Sequence, residues 1–528
     1  MASNLKNSLP MYDVVVIGSG LGGLSSALAL AKAGKSVLLL EQHNLPGGCS
    51  TSFVRGRFEF DAALHEFCAL GEDGHLGYAG KLLKEEYGID IDTCCAPELF
   101  RAVLTSRSGR YYDVTLPFGE EAFIEALEKA VPGNKDAVEA YLSLSKECYE
   151  VSQYFDAHMF LKKKRNGDVK ISALHFMKHY FRYLQVAEEP YNEVCRKLGM
   201  SEDVIDILNC YRVYLGVDGN TVSFAHLATM IYSYIAYKPG YIIPNSHALS
   251  LSLQEKFESY GGKTFFGVKA IHVEADKKGN ITGVSTDHGF FPCKGVIANM
   301  YPLSAYNGLL SPNIKVPMRE RKRYKATPPS SRFVNIYIGL NKSSEELGID
   351  EYTLFYPGDL RYPRLTKGPL DYLQAAATHY NRIYPEASPK GTSIMTLTLE
   401  FEDDIWASVP VQDYFKTKEA IAKKAIAEYE EVSGRKITPY IEEIEIASPW
   451  TFARYLKTPE GAVYGVKFGK HNSILSALQS IRRDNPIKGF KTTGASGARG
   501  DGFSQSIASG YDMAKLLLEE LGKEKAHG

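Results

Sequence analysis

Residues 12–41, YDVVVIGSGLGGLSSALALAKAGKSVLLLE, hold the first residues whose types and spacing point to chemistry. Gly18, Gly20 and Gly23 form a G-x-G-x-x-G string, with Leu21 and Gly22 inside it. Gly18 permits a tight turn, Gly20 lets a phosphate approach the backbone, and Gly23 lets a helix lie close on a strand. A helix starting there turns unpaired N–H groups and the positive end of its dipole toward an anion. Glu41 closes the stretch as an acceptor for the hydroxyls of a ribose. Such a set is fitted to grip a dinucleotide. The elements that must position it follow from pattern. Residues 14–17 are an apolar run without alternation, as in a strand covered on both faces. The chain then turns helical through residue 31, and residues 36–40 are a second apolar run, completing a βαβ unit.

The chain has 528 residues, too long for one core, so two or more domains are expected. Hydrophobic content of 44% and charged content of 23% fit a soluble globular protein. A net charge of −1 gives no reason to expect a nucleic-acid partner. Tyrosine is abundant at 34 residues and suits pockets and interfaces, since it joins an apolar ring to a polar tip. The eight cysteines show no C-x-x-C pair and no metal-finger spacing, so reduced thiols and no metal site are expected. Residues 1–10 lack an apolar leader core, and no window reaches 18 uninterrupted apolar residues. A cytoplasmic location follows as the expectation, with residues 224–237 a buried helix.

Two further segments repeat the glycine-rich theme. In residues 42–70, Pro46-Gly47-Gly48 is a turn needing unusual backbone freedom, and 53–60 reads as a hairpin about Arg55-Gly56-Arg57. Residues 61–68 open another element carrying His65. Near the end, KGFKTTGASGARGDGFSQSIASGYDMAKLLLEEL reads as strand, glycine-rich turn and a helix over about 503–521. Between them, residues 71–235 are mostly helical, with helices at 119–131 and 135–154. Residues 236–299 return to an α/β pattern: helix 246–260, strand 264–273 with Val268 in it, return strand 281–285 and strand 295–299. Residues 300–446 alternate strand-like runs (333–338, 393–400, 441–446) with a helix at 416–432. Residues 162–165 are a solvated basic loop. Residues 173–184 set Leu174, Met177, Phe181 and Leu184 opposite His175, Lys178, His179 and Arg182. That amphipathic pattern suits either a surface helix or one lying in a membrane interface.

Strand, G-x-G-x-x-G, acid, Gly-Gly turn and the run from Gly56 through Phe60-Asp61 to His65 resemble the flavin amine oxidase and phytoene desaturase superfamily. ASPWTFARYLKTPEGAVYGV, with Ser448-Pro449, Arg454-Tyr455 and residues 461–465, is similar to its carotenoid isomerase and retinol saturase branch. The resemblance implies an α/β fold. A Rossmann-like FAD-binding domain of the GR2 type, amine oxidase/GDI-like, would come from residues 1–70, 236–300 and 460–528. It would be interleaved with an α+β substrate domain, built on an antiparallel sheet, from 71–235 and 301–459. The implied cofactor is FAD. Its implied contacts are Gly18, Gly20, Leu21, Gly22, Gly23, Glu41, Gln42, Gly47, Gly48, Ser50, Val268, Gly494, Asp501, Gly502 and Phe503. Val268 would meet the adenine edge through its backbone, and the helix starting at Phe503 would face the flavin pyrimidine edge. One departure stands out. Where the branch has G-A-S-T-x-P-G-G-G-x-P-G, Arg499 replaces the proline, Asp501 replaces a glycine, and Phe503-Ser504-Gln505 replaces V-P-G.

The implied activity is reduction, desaturation or isomerisation of a carbon–carbon double bond in an apolar lipid, isoprenoid or polyene-like substrate. Flavin chemistry of that kind asks the protein for stacking, exclusion of water and one proton donor. His65, Tyr455, Tyr464, Arg499 and Asp501 are the catalytic candidates, with Arg454 beside them. His65 reads equally as a satisfied structural histidine, and Arg499 with Asp501 as a salt-bridged turn. Two other readings stay open. A flavin amine oxidase needs an aromatic cage that the sequence does not place. A non-catalytic prenyl- or lipid-binding protein like the Rab GDP-dissociation inhibitors usually has degraded FAD blocks, and all three are intact here. No Ser-His-Asp order or H-E-x-x-H string supports a hydrolase or metalloenzyme. No second G-x-G-x-x-G offers a nicotinamide domain, which leaves NAD(P)H as a transient reductant. An apolar small molecule is the expected partner; peripheral membrane contact and a homodimer are open expectations.

Overall fold

A computed structural model describes residues 10–63, 65–71, 74–158, 180–362, 364, 366–467, 485–497 and 499–525. The opening strand, Tyr12–Ile17, buries Val14, Val15 and Val16 completely, as its unbroken apolar run demands. It pairs in parallel with Val37–Leu40 on one side and Gly289–Asn299 on the other. The sheet runs Lys263–Phe265, Val37–Leu40, Tyr12–Ile17, Gly289–Asn299, Ile281–Thr286, Ala270–Ala275, and Phe490–Thr493 also joins Gly289–Asn299 in parallel. Helices Leu21–Lys32, Ser246–Ser259 and Phe503–Lys525 cover one face. Tyr301, Tyr306, Leu309 and Tyr324 cover the other.

Gly289–Asn299 is longer than the 295–299 run expected. Its first half pairs antiparallel with Ile281–Thr286, where one face is open and the apolar signal is weak. Only its second half is buried between parallel neighbours. The strand expected at 264–273 is two strands, Lys263–Phe265 and Ala270–Ala275, and Val268 sits buried in the connection between them.

The second sheet runs Ile441–Ala447, Arg332–Leu340, Ser393–Phe401, Ala375–His379, Thr353–Asp359, Phe100–Thr105, Tyr111–Leu116. It is antiparallel except where Thr353–Asp359 runs parallel to Phe100–Thr105. All residues of Arg332–Leu340 and of Ser393–Phe401 are buried. Tyr414–Ser433 seals one face, and Phe224–Tyr237 with Lys135–His158 belongs to the core on the other. The helix at 173–184 and the basic loop at 162–165 lie, but for residues 180–184, outside the described residues.

Packing ties together segments that the sequence assigns to different domains. Phe58 and Phe60, of the hairpin Ser52–Arg55 and Phe58–Asp61, sit in the core of the second sheet. Leu82, Leu83 and Tyr87 pack on the first sheet's helices, and Tyr301–Tyr324 on its other face. Side chains follow the surface they can bury, and strand order alone does not fix where a connection docks.

The two helices at the heart of the first layer touch backbone to backbone. Ser25 Oγ donates to the Ile507 carbonyl at 2.7 Å, and a Cβ on Gly510 would lie 2.2 Å from the Gly22 carbonyl oxygen. In the same helix, Gly522 has no atom within 4 Å of its Cβ position. Gly510→Ala is expected to lose about 1–3 kcal/mol of unfolding free energy through overpacking. Gly522→Ala is expected to gain about 0.5–1 kcal/mol through helix propensity. Denaturant titration of the two variants checks the contrast; equal effects would mean the helices are not in contact at Gly510.

Candidate active site

A cavity of about 1630 Å³ separates the two sheets. Single-ligand pockets measure roughly 300–1,000 Å³, so this one has room for an extended cofactor and a substrate. One end lies at the carboxyl ends of the parallel strands, where Ile17, Leu40, Asn299 and Thr493 meet it, the usual ligand crevice of an open α/β sheet. The other runs between the second sheet, through Phe333, Asn335, Tyr337 and Thr398, and the helix carrying Thr229 and Tyr234.

At the first end Glu41 is held firmly. One carboxylate oxygen accepts the Ser19 N–H and the Ser19 hydroxyl, both at 2.7 Å, and the other accepts the His43 N–H at 2.8 Å. Gly18 turns at φ +90°, and a Cβ on Gly23 would lie 1.9 Å from the Gly18 carbonyl oxygen. Gly47 donates its N–H to the Ser19 carbonyl at 2.9 Å, so the Gly47-Gly48 turn lies directly on the first glycine loop. Gln42, Leu21, Gly22, Gly494, Gly502 and Phe503 all line this end. Ser50 lines it too, but its hydroxyl is committed to the Ser246 carbonyl at 2.8 Å. Asn299 is a residue that sequence reading passed over as a strand end. Its side chain occupies the space that Cβ atoms on Gly20 and Gly494 would fill, at 2.5 Å in each case, so one amide locks two glycine loops together. The acceptor, the open glycine cradle and the N-termini of helices Leu21–Lys32 and Phe503–Lys525 fit a dinucleotide.

Val268 narrows one expectation. Its backbone N–H donates to the Glu41 carbonyl at 2.9 Å, so only its carbonyl is left for a base edge.

The chamber end holds Glu66, His65, Tyr214, Tyr234, Tyr464 and Asp501. His65 Nδ1 meets Thr378 Oγ1 at 2.9 Å, and its ring stacks on Tyr214 at 5.8 Å. Burial pushes its pKa down to about 4, so the imidazole is neutral near pH 7 and holds no proton to donate as an acid. This shift weighs against His65 as the proton donor. Asp501 does the reverse: burial pushes its carboxyl up to about 8. Glu66 rises to about 8 as well, through burial and the nearby Glu98. The Glu66 stem is only partly covered, but both its oxygens are buried, and neither they nor Asp501 Oδ2 has a hydrogen-bond partner among the described residues. Tyr464 stands edge-on to Phe333 at 5.5 Å, its hydroxyl pKa raised by burial and by Asp501. Glu66, Tyr214 and Tyr234 were missed in the sequence; the one signal for Glu66 was a lone acid inside the run HEFCAL.

Two further catalytic candidates, Arg499 and Tyr455, also line the cavity. Arg499 Nε pairs with Asp512 at 2.6 Å with both side chains buried, and its guanidinium covers the Tyr78 ring at 4.7 Å. It braces the turn that carries Asp501. Tyr455 is exposed and edge-on to His43 at 5.7 Å, two residues beyond Glu41, away from the Tyr464 cluster. Arg454 is exposed beside it.

The family described as an NAD(P)-binding Rossmann-like domain matches residues 16–78. The chain is 26% identical over 523 residues to human all-trans-retinol 13,14-reductase, covering 92% of this chain and 83% of that one. It is 23% identical over 524 residues to the chloroplastic prolycopene isomerase of Daucus carota, covering 97% and 81%. In fold it is similar to a putrescine oxidase variant with redesigned cofactor binding, at TM-score 0.62 and 13% identity, over 96% of this chain and 99% of that one. The fold is α/β with a dinucleotide-binding Rossmann-like layer.

The buried carboxyls set a pH dependence. An unfolded chain gives up both protons near their ordinary values of 3.8 and 4.5, whereas the folded protein keeps them to about 8. The folded state binds more protons in that window, so its stability falls as pH rises. His65, His226 and His379 are all pushed down to about 4; they act in the opposite sense, and only below their ordinary 6.5. From about pH 6.5 to 8 the carboxyls therefore dominate. In flavin-free protein, Glu66→Gln with Asp501→Asn is expected to flatten the fall in Tm over that range. An unchanged slope would mean that both groups are ionised in the folded chain.

Proposed function

We propose, from the chain's grouping with the retinol saturase and carotenoid isomerase branch of the flavin amine oxidase superfamily, that it is an FAD-dependent oxidoreductase. It acts on a carbon–carbon double bond of an apolar, isoprenoid or polyene-like substrate. The observation that carries the reading is the continuity of one cavity from the dinucleotide cradle at Glu41 to a tyrosine-lined chamber holding protonated acids. The human relative is named for reducing a double bond of retinol, and the carrot relative for isomerising prolycopene. Saturation is the direction the chamber favours. It consumes a proton, and Asp501 holds one at neutral pH, whereas desaturation calls for a base.

Bound FAD supplies hydride exchange at its flavin ring. Glu41 would accept from the ribose, and the free backbone N–H groups of the Gly20–Gly23 turn and of Gly48 would hold the pyrophosphate. The positive end of helix Phe503–Lys525 would steady negative charge on the ring. Asp501 precedes by two residues the helix that would face the ring, and its carboxyl is the proton source in this reading. Tyr214, Tyr234, Phe333 and Tyr464 present ring faces and edges to a conjugated chain and keep water out.

The test begins with the absorbance spectrum of the purified protein, where flavin bands are expected. Flavin-loaded protein, reduced by dithionite or NAD(P)H without oxygen, is then given a polyene alcohol. A product heavier by one pair of hydrogens is expected by mass spectrometry. A protein still colourless after incubation with FAD would sink the reading in favour of lipid binding alone. Peroxide release with amines would point to an amine oxidase. Glu41→Ala should weaken FAD binding by about 10- to 100-fold in a fluorescence titration. Asp501→Asn should keep the flavin bands yet cut turnover by about 10²–10⁴.

A further inference from the structure

Several cavity-lining residues are also among the most exposed apolar side chains of the protein, so they sit at its opening. Val411 is 91% exposed, Phe415 73%, Val54 59%, Tyr455 57% and Trp450 52%, and each lines the cavity. They come from four elements that are tied side by side. Tyr414 Oη meets Ser448 Oγ at 2.8 Å, the Trp450 indole N–H donates to the Trp406 carbonyl at 2.9 Å, and Arg55 meets Glu445 at 2.7 Å. The rim is thus a built surface. Water-facing apolar side chains gathered in one place mark an interaction site on a soluble protein.

We propose that this rim docks on a lipid bilayer, so that the cavity opens into the apolar phase where its substrate dissolves. Its chemistry selects lipid over a protein partner. Trp450 and Tyr455 combine an apolar ring with a polar tip, the side chains favoured at a membrane interface. Arg454 and Lys457 stand exposed beside them, line the same opening, and have no carboxylate partner among the described residues, so they are free for anionic headgroups. Of the acids at the rim, Glu445 is held by Arg55 at 2.7 Å and Lys418 at 3.9 Å and repels little, and Asp413, exposed between Val411 and Phe415, is outnumbered by Arg454 and Lys457. A protein seated here would cover the opening, whereas a bilayer feeds it. No helix among the described residues is long and apolar enough to cross a membrane, so the contact is peripheral. Its purpose rests on the apolar substrate proposed above, but its measurement does not.

Trp450 is a ready probe, because the chain has two tryptophans and Trp406 is buried at 1% exposure. The full-length, FAD-loaded protein is mixed with phosphatidylcholine vesicles, with and without phosphatidylserine. It is expected to float with the vesicles and to shift its tryptophan emission to the blue, both more strongly with phosphatidylserine. Val411→Glu with Phe415→Glu should cut partitioning at least about tenfold, while flavin absorbance and the thermal melt are retained. Arg454→Glu with Lys457→Glu should remove only the phosphatidylserine increment. Wild-type protein that stays in solution with unshifted emission overturns the inference, and so does a paired acidic variant that floats unchanged. If that variant splits a dimer while flotation is unaltered, the rim is a contact between copies and the inference again falls. A flavin-bearing protein that reduces detergent-dispersed polyenes without binding vesicles sinks docking alone. Vesicle binding by a protein that never takes up flavin leaves docking intact and removes the oxidoreductase reading.

Discussion

Ser19 gives both its backbone N–H and its hydroxyl proton to a single oxygen of Glu41, and the rest of the site depends on that bond pair. It fixes the acid at the end of one parallel strand against the glycine turn at the end of the next. The second oxygen is held by the His43 N–H, so the carboxylate has one orientation before any ligand arrives. An acceptor already locked loses little entropy when a sugar binds it. The Gly47 N–H bonded to the Ser19 carbonyl draws the second glycine turn onto the same point, and Asn299 pins the third from the far strand. Segments far apart in the chain therefore share one small volume at the carboxyl ends of a parallel sheet.

From that anchor the cavity changes character along its length. Near Glu41 it is lined by backbone and helix termini, which suit phosphate and sugar. Past Gly502 it becomes a chamber of rings with Glu66 and Asp501 among them. Burial pushes the pKa of these two acids up to about 8, while burial pushes that of His65 down to about 4. One physical cause thus moves acids and histidine in opposite directions and leaves carboxyls as the proton reservoir. Arg499, the one cation in this turn, is spent on Asp512 inside the fold.

The glycine cradle was readable because each of its tasks is local. A turn, a close approach and a helix start are set by a few adjacent residues, and so is the buried helix Phe224–Tyr237. The antiparallel character of most of the second sheet was readable from strand-like runs separated by helices. Less legible was anything decided by a distant partner. The break that places Val268 between strands depends on Glu41 taking its N–H. The single parallel pair in the second sheet depends on where Phe100–Thr105 docks, some 250 residues before its neighbour Thr353–Asp359.

By itself the sequence determined that a dinucleotide-gripping βαβ unit opens the chain and that later segments return to it, since spacing within a short stretch fixes such geometry. Only the tertiary structure decided which of His65, Tyr455, Tyr464, Arg499 and Asp501 share the chamber and which carry a proton. It alone brought in Glu66 and Asn299, and it alone exposed the apolar rim around Trp450. Protonation, pairing and exposure are set by what surrounds a side chain in space, and those surroundings are assembled from residues hundreds of positions apart.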